Sequence, residues 1–417
     1  MAGANGNGLV IVGGGLASAR AVKAYREKGG DGPVRLFSSD SVVPYHRPPL
    51  SKRYLRGEIE AEETLVEQES FYREHDVDVQ LEAHAGDLRV EERTLDVDGT
   101  TVRYDQLLIA SGATPRTLDV QGSDREGVFT LRRLDDSRRI REAAEGARHA
   151  VVVGAGFIGM EVAASLKQHG LEVTLIHRGT GLFEILRAHS LVVFLEDLYS
   201  RNGVELVFSD EVVEFGGHAR IDSVRTKQDR VYQAELAVVG VGVQPTTSWL
   251  DGGGLQIDNG VVVNERFETG APDVYAVGDV ARFYDPLFDR YRRIEHWSNA
   301  NYQGTTVGAR LAGEDVSYDV VSTFFTEVFG LTLRLFGDVD HFDEIVFRGR
   351  IEDEHAIGFY LQGDRLVATL VVGQDEETEN TLKELIAARA TAPDFGRIGD
   401  DGASLDEVFV KGNGAGA

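Results

Sequence analysis

The chain has 417 residues, of which 42% are hydrophobic and 27% charged, and this predicts a packed globular protein of about two to four domains rather than a lone small binding module. Its net charge of −26 repels phosphate backbones and anionic lipids, which argues against nucleic acid and membrane surfaces as partners. Cysteine is absent, which excludes disulfides, thiolate catalysis and iron–sulfur ligation, so any redox chemistry requires a bound cofactor.

The N-terminal stretch Met1 to Gly8 has neither the basic region nor the apolar core of a secretory signal, and no segment approaches ~18 uninterrupted apolar residues. We therefore expect a cytoplasmic protein. The 11 histidines show no spacing typical of a metal site, and we expect no metal.

The first predicted unit begins with the apolar strand 9–12, continues through Gly13-Gly14-Gly15 into a helix reaching about Lys28, and closes with a strand at 34–37. A strand, glycine turn and helix inside a βαβ unit of ~30 residues predict a dinucleotide site. Ser18 occupies the third small-residue position of this motif. Ser39 and Asp40 follow the second strand, where an acceptor for a ribose hydroxyl is expected.

The same order of elements recurs from Ala150 to Ile176, and here the glycine motif is complete, with Gly154, Gly156 and Gly159. The first glycine permits a tight turn, the second lets the backbone approach a pyrophosphate, and the third allows close helix packing. The alternative is an ordinary glycine-rich turn. The flanking strand and helix favour a second dinucleotide site.

The residues after the second strand of this unit, His177-Arg178-Gly179, contain no acid. A carboxylate there usually binds the adenosine ribose, whereas a cation suits a 2′-phosphate. We therefore expect NADPH to be preferred over NADH, with Arg178 as the phosphate ligand. The alternative is a solvated surface pair.

Two apolar runs end in glycine and proline turns, at 107–116 and 236–245, and both predict strands that cross between domains. A further run, Val274 to Val277, ends in Gly278-Asp279 and leaves a carboxylate at the carboxyl end of a strand, where open α/β sheets bind ligands. Asp279 is therefore a candidate cofactor contact, although a plain turn residue is the alternative. Beyond Asp319, alternating runs such as 345–347 and 366–370 predict a separate α+β domain, and residues 411–417 suggest a frayed tail.

Several segments together resemble the flavoprotein ferredoxin reductases of oxygenase and cytochrome P450 systems, with apoptosis-inducing-factor-like proteins and monodehydroascorbate reductases as more distant relatives. The resemblance extends along nearly the whole chain. It is carried by both glycine turns, the second continued by Met160-Glu161, and by 44–52, 110–116, 240–245, 276–279 and 293–300.

The resemblance implies FAD as the first cofactor and NADPH or NADH as the second. Residues matching the FAD contacts are Gly13, Gly15, Ala17, Ser39, Asp40, Arg47, Lys52, Ala85, Arg132, Asp279 and Trp297. Residues matching the NAD(P) contacts are Gly154, Gly156, Ile158, Gly159, Glu161, His177, Arg178 and Gly242. Arg47 is implied to bind the FAD pyrophosphate, and Trp297 to begin a helix whose N–H groups face the flavin.

The resemblance also implies that Lys52 and Glu161 are the catalytic residues, forming an ion pair beneath the flavin N5 that keeps the lysine charged where reduced flavin gathers negative charge. One departure concerns the electron acceptor. Where relatives often carry a Trp before a Ser-Asp-Gln stretch, this chain has Phe324-Phe325-Thr326-Glu327, so Phe325 supplies the aromatic side chain.

Two basic clusters in this acidic chain are candidate docking sites for an acidic ferredoxin. One contains Arg132, Arg133, Arg138, Arg139 and Arg141, for which the solvated face of an amphipathic helix is an equal alternative. The second contains Arg290, Arg292 and Arg293, close in sequence to Trp297.

The sequence thus predicts an α/β protein with two Rossmann-like domains and a C-terminal α+β interface domain. The FAD domain is expected at 1–113 plus 246–317, the NAD(P) domain at 114–245 and the interface domain at 318–417. The expected function is hydride transfer from NAD(P)H to FAD and electron transfer to a ferredoxin or rubredoxin-type protein, in a possible homodimer. The alternatives are a reductase of a quinone or small organic radical, and a redox-sensing interaction protein.

Overall fold

The computed structural model describes residues 7–412. The residues before Asn7, and those of the predicted tail from residue 413 on, lie outside this range. The chain divides into two compact units. The first contains the residues up to Pro48, Ile59–Thr114 and Val243–Asp319, and the second contains Pro49–Glu58, Pro115–Gly242 and the residues from Val320 on. The finer division into three domains stays a prediction.

The helices are α1 Leu16–Glu27, α2 Glu69–Glu74, α3 Leu134–Glu145, α4 Phe157–Gln168, α5 His189–Arg201, α6 Trp297–Leu311, α7 Glu376–Ala387 and α8 Leu405–Val408. The strands up to the second glycine turn are β1 Leu9–Val12, β2 Val34–Phe37, β3 Val77–Gln80, β4 Ala85–Arg89, β5 Thr94–Val97, β6 Thr100–Arg103, β7 Gln106–Ile109, β8 Ala113–Pro115, β9 Val128–Thr130 and β10 His149–Val153. The later strands are β11 Glu172–Ile176, β12 Val204–Val207, β13 Val212–Gly217, β14 Ile221–Thr226, β15 Val231–Gln233, β16 Leu236–Val239, β17 Val243–Pro245, β18 Val261–Val263, β19 Val274–Ala276, β20 Ala281–Asp285, β21 Arg290–Arg292, β22 Thr323–Val328, β23 Leu331–Gly337, β24 Glu344–Arg350, β25 His355–Gln362 and β26 Arg365–Val372.

The first unit is built on a parallel sheet in the order β19-β7-β1-β2-β3. All four residues of β1 are buried, as expected for a strand covered on both faces. Helix α6 packs closely on α1, because a Cβ added at Gly304 or Gly308 would clash with the backbone of Ala17 or Ala21. The predicted elements from β1 to β2 are confirmed.

The second unit contains the other parallel sheet, in the order β12-β11-β10-β16-β9. An antiparallel layer of β13, β14 and β15 packs on it through the fully buried Phe215 and Val224. The residues after 319 form an antiparallel sheet in the order β22-β23-β26-β25-β24, followed by α7. The predicted α/β fold with an α+β C-terminal region is therefore confirmed.

Among residues 7–412, none of the helices combines the length and the apolar character that crossing a bilayer requires.

Candidate functional site

The first glycine turn joins β1 to α1 in the first unit. Gly13 has a φ of 125°, and a Cβ there would clash with the carbonyl oxygen of Ala110, so the turn lies directly against the end of β7. Ser18 takes the place of the motif's third glycine. Its hydroxyl donates a hydrogen bond to the Gly13 carbonyl oxygen at 2.5 Å, which stabilises the turn from inside the helix.

Gly15 caps the start of α1, and glycine has no side chain that accepts from the first N–H groups of the helix. The nearest atom to a Cβ built at Gly15 is Nη1 of Arg47, at 3.5 Å. A helix N-terminus with a guanidinium beside it has the donors and the charge that a diphosphate requires. The residues present therefore fit the pyrophosphate of FAD.

Asp279 follows β19 and is only 9% exposed. The turn before it is fixed by a hydrogen bond from the Gly278 N–H to Oε1 of Gln303 on α6, at 2.8 Å. Ala17 on α1 is buried against this turn, with its Cβ 3.4 Å from the Cβ position of Gly278. The prediction that Asp279 lies at the carboxyl end of a strand is confirmed; its cofactor contact stays a prediction.

Helix α6 begins at Trp297, as predicted, with His296 as the N-cap. The Trp297 indole N–H donates to Nδ1 of His46 at 2.9 Å. Because indole is only a donor, Nδ1 of His46 carries no proton. Burial, with the nearby Arg20 charge, lowers the pKa of His46, in agreement with a neutral imidazole. This bond joins the segment 44–47 to the start of α6.

The residues predicted near the adenosine differ in exposure and in hydrogen bonding. Asp40 accepts a hydrogen bond from the Tyr45 hydroxyl at 2.6 Å, so one of its oxygens is already engaged inside the protein. Ser39 is exposed, and Ala85 is a half-buried residue at the start of β4.

The second glycine turn joins β10 to α4 in the second unit. A Cβ at Gly154 would clash with the Gly240 carbonyl oxygen, and one at Gly159 would clash with the Gly154 carbonyl oxygen, whereas one at Gly156 meets nothing within 4 Å. Gly156 thus opens onto free space at the start of α4, as a diphosphate contact requires. Gly240, which lies in the predicted crossing strand 236–245, completes this close packing against Gly159. The sequence pattern does not reveal this contact.

Two further residues of the predicted NAD(P) site, Ile158 and Gly242, are both exposed. Ile158 is a large apolar side chain on the first turn of α4 that remains 39% exposed. Gly242 is exposed, and its carbonyl accepts from the Arg116 N–H at 2.9 Å. Both positions are accessible to a ligand of the second unit.

An acid that the sequence analysis missed lies close to the end of β11. Glu184 accepts hydrogen bonds from the Thr180 N–H and hydroxyl, both at 2.5 Å, and these bonds lower the pKa of its carboxyl. Its Oε2 lies 3.6 Å from Nε2 of His177. Burial lowers the pKa of His177, against the opposing effect of Glu184. Arg178 is exposed. Thr180 and Arg187, further along the same loop, help to line a cavity of about 340 Å³.

The predicted Lys52–Glu161 ion pair is formed within the second unit. The Lys52 ammonium lies 2.6 Å from Oε1 of Glu161, and the two side chains are only 10% and 5% exposed. The Thr326 hydroxyl donates to Oε1 at 2.7 Å, and the Ser51 hydroxyl donates to Oε2 at 2.5 Å. Both oxygens of this buried carboxylate therefore have hydrogen-bond donors, one of them an ammonium and two of them hydroxyls.

The short segment 49–58 holds Lys52 in place through hydrogen bonds to two helices. The Ser165 hydroxyl on α4 donates to the Ser51 carbonyl at 2.6 Å, and the Ser137 hydroxyl on α3 donates to the Leu50 carbonyl at 2.6 Å. Glu161 lies on α4 itself. One helix therefore carries the carboxylate and also fixes the backbone next to the lysine.

Arg132 precedes α3, and its backbone N–H donates to Asp136 at 3.0 Å; its predicted FAD contact stays a prediction. The side chains of Phe324 and Phe325 are half-buried on β22. Among residues 7–412, no cluster of three or more histidine or carboxylate side chains is arranged to hold a metal ion.

The structure contradicts the docking prediction for Arg292 and Arg293. Arg292 forms a 2.7 Å ion pair with the fully buried Asp285, and its side chain is 8% exposed. Arg293 is 11% exposed and pairs with Glu295. Both guanidinium groups are directed into the protein because they neutralise nearby carboxylates, which a sequence pattern does not reveal. In the other basic cluster, Arg138 is exposed but pairs with Asp135 and Glu142.

Comparison with known proteins gives matches over almost the whole chain. Residues 7–304 match the family described as pyridine nucleotide-disulphide oxidoreductase, and residues 323–409 match a reductase C-terminal domain. The chain is 32% identical to putidaredoxin reductase of Pseudomonas putida, covering 98% of this chain and 97% of that protein. It is also 32% identical to the ferredoxin reductase component of a chlorobenzene dioxygenase from Cupriavidus sp. (strain PS12), covering 96% and 97%.

Human apoptosis-inducing factor 3 is 31% identical over 92% of this chain, but the chain spans only 63% of that protein. Among solved structures, the covalent putidaredoxin reductase–putidaredoxin complex matches with a TM-score of 0.92 and 31% identity, covering 97% of this chain and 98% of that one.

Proposed function

The chain belongs to the pyridine nucleotide-disulphide oxidoreductase family, and we propose that it is an FAD-dependent NAD(P)H oxidoreductase that reduces a ferredoxin-type protein. The likeness to putidaredoxin reductase carries this proposal, because it extends over 98% of this chain and 97% of that protein. The absence of cysteine excludes the thiol relay from which the family takes its name.

The ferredoxin reductase function is favoured over the two alternatives. The match covers 97% of putidaredoxin reductase and 97% of the dioxygenase component, but only 63% of apoptosis-inducing factor 3. We therefore rank a redox-sensing interaction protein, and a reductase of quinones or organic radicals, below an electron-transfer enzyme.

We assign the diphosphate of FAD to the start of α1 and to Arg47, and the diphosphate of NAD(P)H to Gly156 and the start of α4. In each case a glycine without a side chain leaves the first N–H groups of the helix to the ligand, and the positive end of the helix dipole favours its charge. Ile158 then covers the second ligand with an apolar side chain.

FAD, when bound, accepts a hydride equivalent and returns electrons one at a time. The protein supplies orientation and charge. In the role that we propose for Lys52, its ammonium lies close to the flavin N5, and Glu161 holds it in one position. Since the pair is almost completely buried, water screens its charge only weakly.

For the second cofactor we propose a preference for NADPH, supported by the exposed guanidinium of Arg178 after β11. Glu184 is an opposing observation, because its lowered pKa keeps a negative charge near the same strand end. The Arg178→Ala variant decides between them: it should raise KM for NADPH far more than KM for NADH. Equal effects on both would refute the phosphate contact.

The proposed acceptor is a ferredoxin or rubredoxin-type protein, since iron–sulfur and rubredoxin centres take up single electrons. A cytoplasmic location and a homodimer stay predictions from the sequence.

A steady-state assay tests the proposed function. The protein loaded with FAD should reduce cytochrome c from NAD(P)H slowly alone and much faster with added ferredoxin. A long-lived coloured complex with negligible turnover would instead support the sensor. Rapid reduction of quinones, with no acceleration by any ferredoxin tried, would support the organic-substrate alternative.

A further inference from the structure

Thr326 makes a contact that the sequence resemblance did not assign. It lies on β22 and is fully buried, and its hydroxyl reaches Oε1 of Glu161 at 2.7 Å across 165 positions of sequence. Lys52 contacts the same oxygen at 2.6 Å. Two donors from distant parts of the chain therefore converge on one carboxylate oxygen.

The carboxylate is held at both of its oxygens. Ser51 and Lys52 are consecutive residues, yet Ser51 donates to Oε2 and Lys52 to Oε1, which fixes the plane of the group. Thr326 then occupies a second acceptor direction at Oε1. Since a carboxylate oxygen offers two lone-pair directions, the threonine leaves the ammonium one direction of approach to that oxygen.

We propose that Thr326 is a positioning residue that acts on Lys52 through Glu161. Its hydroxyl offsets part of the carboxylate charge and fixes the direction in which the Lys52 ammonium is held. The effect is transmitted because the three groups form a buried hydrogen-bond network of low local dielectric. Its consequence for electron transfer rests on the proposed function, in which Lys52 lies close to the flavin.

The substitution Thr326→Val removes the hydroxyl and nearly preserves the shape of the side chain. A carboxylate with one donor fewer cancels more of the lysine's positive field, so the reduced, more negative flavin is less stabilised. We expect the equilibrium constant for two-electron reduction of the bound FAD to fall about tenfold, which corresponds to ~30 mV. The potential is measured against a reference dye under anaerobic conditions.

Two control variants separate this effect from a general structural one. Thr326→Ser retains the hydroxyl and should restore the potential. Thr369→Val makes the same chemical change in the same sheet, on β26, at a fully buried threonine whose hydroxyl has no hydrogen-bond partner in the structure. It should leave the potential unchanged. Equal potentials for Thr326→Val and Thr369→Val would overturn the proposal.

A second measurement does not depend on the flavin. In protein labelled with ¹³C at the glutamate side-chain carboxyls, the Glu161 resonance is assigned by its loss in Glu161→Gln. It should move in Thr326→Val and keep its position in Thr326→Ser and Thr369→Val. A resonance that stays in place in Thr326→Val would also overturn the proposal. A protein that takes up no FAD would refute the proposed function, while this resonance still decides the role of Thr326.

Discussion

Breaking the Lys52–Glu161 pair should destabilise the second unit in a strongly non-additive way. At 2.6 Å the gross attraction is about 6 kcal/mol for an effective dielectric constant of about 20, and desolvation of the two charges offsets most of it. Removing one partner leaves the desolvation cost of the other. We therefore expect Glu161→Gln and Lys52→Met each to cost ~3 kcal/mol, and the double variant to cost no more than either, giving a coupling energy of ~3 kcal/mol.

The assay has to report on the correct unit. The chain has two tryptophans, and Trp249 and Trp297 both belong to the first unit, so their fluorescence does not follow the pair. Hydrogen exchange of the α4 amides, at a fixed concentration of FAD, reports the opening free energy where Glu161 lies. Single-variant losses that add within ~0.5 kcal/mol would refute the buried, coupled pair.

Three further predictions concern other parts of the chain. Gly159→Ala should destabilise the second unit by at least ~2 kcal/mol, because its Cβ would clash with the backbone. Gly156→Ala, whose Cβ meets open space, should instead leave the stability unchanged and weaken NAD(P)H binding. Hydrogen exchange measures the first effect, and ligand titration measures the second. Asp285→Asn should lower the unfolding free energy of the first unit by ~3 kcal/mol, since the buried guanidinium of Arg292 loses its carboxylate partner. Urea unfolding measures this loss, and a value below ~1 kcal/mol would contradict the buried ion pair. The lowered pKa of His46 means that the unfolded chain binds this proton more tightly than the folded one. The contribution of His46 to the unfolding free energy of the first unit should therefore be complete above pH ~6.5 and be lost as the pH falls from there through the lower folded-state pKa. His46→Asn, which retains an acceptor for Trp297, should remove this part of the pH dependence when unfolding is followed by Trp fluorescence.

The sequence alone predicts those features that neighbouring residues determine. Both βαβ units and their glycine turns follow from apolar periodicity and from glycines next to strands. The start of α6 at Trp297 was implied by the family resemblance, and the structure confirms it. The Lys52–Glu161 contact was implied by the family resemblance, and the structure forms it at 2.6 Å.

The sequence does not predict contacts that depend on how the chain folds back on itself. Thr326 reaches Glu161 across 165 positions, and no local pattern predicts such a pairing. Arg292 resembled a surface cation because its partner, Asp285, was not recognised as buried. Glu184 lies seven positions after His177, and its turn brings the carboxylate back toward the strand end, where only the cations were expected.

The most direct test of the proposed function is an anaerobic titration of the purified protein with FAD, then with NAD(P)H, and finally with oxidised ferredoxin, followed by visible absorbance. We expect tight uptake of one flavin, loss of its colour on addition of about one equivalent of NAD(P)H, and return of the colour when ferredoxin is added. A protein that takes up no flavin, or a bound flavin that NAD(P)H does not bleach, would contradict it.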